Sequence, residues 1–126
     1  MKVFDASAVL AALLDEPGGP ACAKLMEDGE GLIGSANYAE VMAKLFDLGV
    51  SDVDAATAWH NLPLEIVALD SDTALVAAKL RPFTRALGLS LGDRCCLALG
   101  QTRSAAVVTA DRQWKKVKGF EIVLVR

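Results

Sequence analysis

Five short apolar runs, KVFD, GLIGS, LEIVALD, SAAVVTA and FEIVLV, are spread along the chain and separated by stretches of helical character. The helical stretches are ASAVLAALLDE, ACAKLMEDG, ANYAEVMAKLFDLG, SDVDAATAWHNL, SDTALVAAKLRPFTRALG and LGDRCCLALGQTR. Pro17, Gly18, Gly19 and Pro20 stop the first helix, Ser51 or Asp52 caps the fourth, and Pro82 marks a junction in the fifth. Strands that alternate with helices pair in parallel through right-handed crossovers, so the pattern predicts an α/β fold. The expected architecture is one three-layer domain over residues 1–126, a parallel sheet of about five strands flanked by helices. No linker, low-complexity tract or internal repeat interrupts it.

The composition agrees with a chain that buries a core: 126 residues, 53% hydrophobic, mean hydropathy +0.36. The longest helical apolar stretch, SAVLAALL, is much shorter than the ~20 residues of a membrane span, and no leader pattern opens the sequence, so a soluble cytoplasmic protein without membrane contact is expected. Cys22, Cys95 and Cys96 are odd in number and lack zinc-site spacing, which predicts buried free thiols.

Acidic residues supply the chemistry. Asp5 ends the first strand, Glu40 lies in the first turns of the helix after GLIGS, Asp93 starts the helix LGDRCC, and Asp111 follows the strand AVVTA. Open parallel sheets place their sites at strand carboxyl ends, where Asp5, Glu40 and Asp111 would meet and Asp93 could join from a neighbouring helix. Each acid alone could be a cap or a solvated side chain, and Asp93 behind Gly92 reads as an N-cap. Together they suggest a carboxylate cluster that only a cation makes tolerable. With oxygen donors and no histidine nearby, Mg²⁺ or Mn²⁺ is the expected ion, and such ions activate water for displacement at phosphorus. A metal-dependent nuclease follows.

The net charge of −3 argues against a nucleic-acid partner until its distribution is considered. Residues 1–63 carry 3 Lys/Arg against 10 Asp/Glu, whereas residues 64–126 carry 10 against 6. Arg81, Arg85, Arg94, Arg103, Arg112, Lys115, Lys116 and Lys118 can form a phosphate-binding face or an ordinary solvated surface. The lone His60 has no G-x-S-x-G elbow to serve, and EDGEGLIGS lacks the Gly-Lys-Ser/Thr of a P-loop.

The blocks VFDASAVLA, SANYAEV, LSLGDRCCLALG and VVTADRQW, in this order over nearly the whole chain, resemble the four motif blocks of PIN-domain ribonucleases, and the length resembles that of VapC-type toxins. The resemblance implies that Asp5, Glu40, Asp93 and Asp111 bind metal and form the active site, with Ser7, Asn37 and Thr109 in support. It implies an endoribonuclease that halts translation as the toxin of a toxin-antitoxin pair, a cognate antitoxin partner and frequently a homodimer. Arg81, Arg85, Arg112, Lys115 and Lys116 become candidates for RNA phosphates, and Trp114 either stacks on a base or fills the core. Two other classes stay open: a metal-dependent phosphatase, for which DAS at 5–7 lacks the D-x-D nucleophile pattern, and a non-catalytic RNA- or protein-binding module.

Overall fold

A computed structural model describes all 126 residues. The strands are β1 (Lys2–Phe4), β2 (Gly31–Gly34), β3 (Leu64–Val67), β4 (Ala106–Thr109) and β5 (Ile122–Leu124). The helices are α1 (Ala6–Leu13), α2 (Gly19–Met26), α3 (Ser35–Asp47), α4 (Asp52–His60), α5 (Ser71–Lys79), α6 (Arg81–Thr84) and α7 (Leu91–Arg103), with 3-10 turns at Arg85–Leu87 and Arg112–Lys116. All strand pairs are parallel and the order is β3-β2-β1-β4-β5. The chain therefore winds outward from β1 to β3, crosses back over the sheet through α5, α6 and α7, and re-enters at β4 on the other side of β1.

Period-two alternation in β1 sends Phe4 to one face and Val3 to the other. On the first face Phe4, Val9, Cys22, Met26, Ile33, Val41 and Val108 pack under α1, α2 and α3. On the second, Val3, Leu32, Leu97, Val107 and Trp114 pack beneath α7 and the turn Arg112–Lys116. The three layers expected from the strand-helix alternation are present, and so are the three free, buried cysteines. No helix is long and apolar enough to cross a membrane.

Local details differ from the sequence reading in ways that backbone chemistry explains. The second helix starts inside EPGGP rather than after it, because a proline in the first helical turn gives up an N–H that has no intrahelical partner there. Gly18 caps it at φ 90, and a Cβ there would come within 2.6 Å of the Val125 carbonyl oxygen, so both conformation and space call for glycine. The N-cap of α7 is Ser90, not Asp93. Ser90 Oγ accepts from the Asp93 N–H (3.2 Å) and Asp93 Oδ2 accepts from the Ser90 N–H (2.9 Å), a reciprocal capping box.

Trp114 is fully buried, so of its two readings the structure bears out the core one and not base stacking. Trp114→Ala should lower unfolding stability by about 3–5 kcal/mol, the range for large aromatic truncations in cores. Urea denaturation measures this, and a loss below about 1 kcal/mol would show that the indole is not part of the core.

Candidate active site

The carboxyl ends of β1 and β4 lie side by side where the winding direction reverses, the place at which parallel sheets leave a crevice. Asp5 leaves β1 and caps α1, and it is only 3% exposed. Its Oδ1 accepts from the Ala8 N–H (2.9 Å) and Ser7 Oγ (2.8 Å), and its Oδ2 accepts from Thr109 Oγ1 (2.8 Å). The same hydroxyls act as acceptors towards the next loop: Ser7 Oγ takes the Ala110 N–H (3.1 Å) and Thr109 Oγ1 the Asp111 N–H (3.0 Å). Ser7 and Thr109 thus lock the β1-α1 corner to the exit of β4, with the Asp5 carboxylate as the common acceptor.

Burial raises the Asp5 carboxyl to about 6; its three hydrogen-bond donors pull it back in part, and the charge of Asp93 adds to the rise. Glu40 stays open to solvent on one side, yet desolvation on the other, followed by the Asp93 charge, pushes its carboxyl up, while the Asn37 amide opposes both. Asn37 is buried at 1% exposure and donates from Nδ2 to the Gly92 carbonyl (3.1 Å), tying α3 to the first turn of α7. Cys96, fully buried on the next turn of α7, is held well above the ordinary thiol range by burial and then by Asp5, Asp93 and Glu40.

Asp111 occupies the rim. Its Oδ1 accepts from the Gln113 N–H (2.9 Å), capping the turn Arg112–Lys116, and its link to the centre runs through Thr109. The protein's two ion pairs, Met1 with Glu30 and Lys2 with Asp28, use none of these acids, so no Lys or Arg neutralises them. The side chains do not form a ready cluster of three carboxylates around one ion. As a donor set of oxygens carrying uncompensated charge they fit a hard cation that keeps part of its water shell.

The candidate RNA contacts occupy two packed segments. Arg81 and Arg85 are exposed on α6 and the turn after it, Arg112, Lys115 and Lys116 are exposed on the turn after Asp111, and the two 3-10 turns touch. Lys115 Nζ donates to the Ile122 carbonyl (3.1 Å). Lys116 lines a lateral groove with Phe83 and Phe120. Sequence reasoning passed over Ser90 and Gly92. The signal for Gly92 was a glycine inside a strong helical run, where glycine is disfavoured.

The family model described as PIN domain matches residues 2–119. No curated protein matches the sequence. The chain is similar in fold to the solved structure titled "Toxin-antitoxin complex from Klebsiella pneumoniae", with 17% identity, a TM-score of 0.74, and coverage of 100% of this chain and 98% of that one. It is also similar to "Crystal structure of DNA bound VapBC from Salmonella typhimurium", with 15% identity, a TM-score of 0.77, and coverage of 99% and 98%. A third similar structure is "Crystal Structure of FitAcB from Neisseria gonorrhoeae", with 15% identity, a TM-score of 0.74, and coverage of 99% and 98%.

The raised Asp5 carboxyl sets a pH dependence for the metal-free protein. Its folded value of about 6 exceeds the ordinary 3.8, so between these values the folded chain binds the proton and the unfolded chain does not. Stability in EDTA should therefore rise as pH falls from 7 towards 4, with about 3 kcal/mol from Asp5. Asp5→Asn should flatten that part of the profile; an unchanged slope in urea melts would contradict the burial argument.

Proposed function

The chain belongs to the PIN-domain family, and on that premise we propose that it is a Mg²⁺- or Mn²⁺-dependent endoribonuclease, the toxin of a toxin-antitoxin pair. What supports the reading is that the Glu40 carboxylate lies against Gly92, the residue before Asp93, that the Asp93 charge raises both Asp5 and Glu40, and that none of these acids has an ion-pair partner in the chain. Asp5, Glu40 and Asp93 would hold the ion, with Asp111 at the rim. A divalent ion bound there supplies an activated water and charge stabilisation for in-line displacement at a phosphodiester.

The chain's own residues perform the positioning. Ser7 and Thr109 fix both oxygens of Asp5, so the buried carboxylate cannot turn away from the crevice. The capping box holds Asp93 by one oxygen, Oδ2, which leaves Oδ1 available to a ligand. Arg112, Lys115 and Lys116, with Arg81 and Arg85 on the touching segment, offer the substrate's phosphates a basic approach to an otherwise acidic centre. A nuclease of this kind requires restraint in the cell. A cognate antitoxin would cover the crevice, most economically with an Arg or Lys that replaces the charge of the ion. A homodimer working on cytoplasmic RNA completes the proposal.

Two measurements test it. The purified protein should cleave structured RNA with Mg²⁺ or Mn²⁺ and stop in EDTA, and Asp93→Asn should reduce cleavage by about a hundredfold or more, equivalent to about 2.7 kcal/mol of transition-state stabilisation. Asparagine keeps an oxygen for the Ser90 N–H, so helix capping survives and the loss reports charge rather than folding. A variant that cuts like the parent would sink the site. Separately, replacing Arg112, Lys115 and Lys116 together by Ala should weaken binding of many RNAs alike and flatten its salt dependence, whereas an unchanged salt slope moves the RNA path elsewhere.

A further inference from the structure

Gly92 is the second residue of α7, in a helix that already has a complete capping box, and its φ lies outside the left-handed region. Neither cap nor turn explains a residue that is unfavourable within a helix. Its surroundings do. A Cβ at Gly92 would overlap Glu40 Oε1 and lie 2.7 Å from Glu40 Cδ and 3.2 Å from Oε2. The close neighbours of Gly18 and Gly19 are largely backbone, and those of Gly31 are apolar side chains; only Gly92 has a carboxylate where its Cβ would stand.

Asn37 closes the arrangement. Its buried Nδ2 donates to the Gly92 carbonyl, and its Oδ1 has no partner. The opposite amide orientation would set oxygen against oxygen, so the Gly92 carbonyl dictates which way the amide points. Gly92 is thus gripped from α3 by residues one turn apart: Asn37 holds its carbonyl and Glu40 occupies the space that a side chain would take.

We infer that Gly92 is a positioning residue for Glu40, the missing side chain being what lets the Glu40 carboxylate sit beside Asp93. The inference rests on the reading of Glu40 as part of the metal site. The Asn37 bond and the packing of α3 on α7 both oppose separation of the helices, and the overlapping atoms are all from the Glu40 carboxylate, so Gly92→Ala is most cheaply absorbed by Glu40 itself. The displaced atoms are the far end of a flexible side chain, and the fold accommodates the change while the carboxylate leaves its place.

The test is a double-mutant cycle of Gly92→Ala and Glu40→Ala, read by Mn²⁺ titration calorimetry, thermal melts in EDTA and RNA cleavage. Gly92→Ala should weaken Mn²⁺ binding about tenfold and cleavage by at least as much. In the Glu40→Ala background the same substitution should cost nothing further in either, and it should raise the metal-free melting temperature, because alanine is the better helix residue once the carboxylate is gone. A Gly92→Ala protein that binds Mn²⁺ like the parent overturns the inference, as does an equal further loss in the Glu40→Ala background. If Gly92→Ala alone fails to fold, the double variant should fold, and its failure to do so also overturns it. Parent-like Mn²⁺ binding and cleavage by Glu40→Ala would instead remove Glu40 from the site and the inference with it.

Discussion

The buried carboxylate of Asp5 is the constraint on which the rest of the arrangement depends. It sits where β1 and β4 emerge side by side, caps α1 through the Ala8 N–H, and accepts from Ser7 and Thr109. Those two hydroxyls in turn accept the Ala110 and Asp111 N–H groups, so the exit of β4 is fastened to the entry of α1 by side chains rather than by the sheet. A buried polar group without partners costs about 1–3 kcal/mol, and here each group satisfies the next. Removing Asp5 would leave the Thr109 hydroxyl and the Ala8 N–H without their acceptor in a closed interior.

Hydrogen bonding stops short of neutralising the site. Three donors on Asp5 do not offset its burial, since its carboxyl still rises to about 6, and Glu40 is raised as well. An Arg placed among these acids would relieve the repulsion and also fill the position that a cation from solution would take. The fold instead keeps its ion pairs at Glu30 and Asp28, outside the crevice. The two cores on either face of the sheet offset that local cost.

The architecture was legible because each strand is an apolar run bounded by turn residues, and because alternation with helices leaves few parallel topologies. Asp5 and Asp111 were legible as residues just past strand ends. The convergence of Glu40 and Asp93 was only partly so: a helix position says which turn a residue occupies, not which neighbouring helix it faces. The contact between α3 and α7 includes the bond from Asn37 to the Gly92 carbonyl across 55 positions of sequence, and no local pattern encodes that bond. For the same reason Trp114, amid basic residues in DRQWKKVK, read as either a core aromatic or a stacking one; its burial follows from the fold of the turn onto the second core, which charge patterning does not record. Asp93 read as a cap and is part of one, but the sequence did not separate the Ser90 cap from the Asp93 partner three residues on.

The uneven charge of the two halves follows from this geometry. Asp5 and Glu40 come from the acidic first half, whereas Asp93 and Asp111 come from the second half, which also carries Arg81, Arg85, Arg112, Lys115 and Lys116. The return crossover and the turn after β4 therefore deliver cations along with the acids they bring. On the proposed reading a polyanionic substrate would meet repulsion from the carboxylates at short range, which a metal ion would compensate, and attraction from the basic segments, whose reach screening limits to about 8–10 Å. Global charge reports neither effect. Asp5 is buried at a strand end while Arg81, Arg85, Arg112, Lys115 and Lys116 lie exposed on the segments before α7 and after β4, a placement that a sum of charges over the chain does not record.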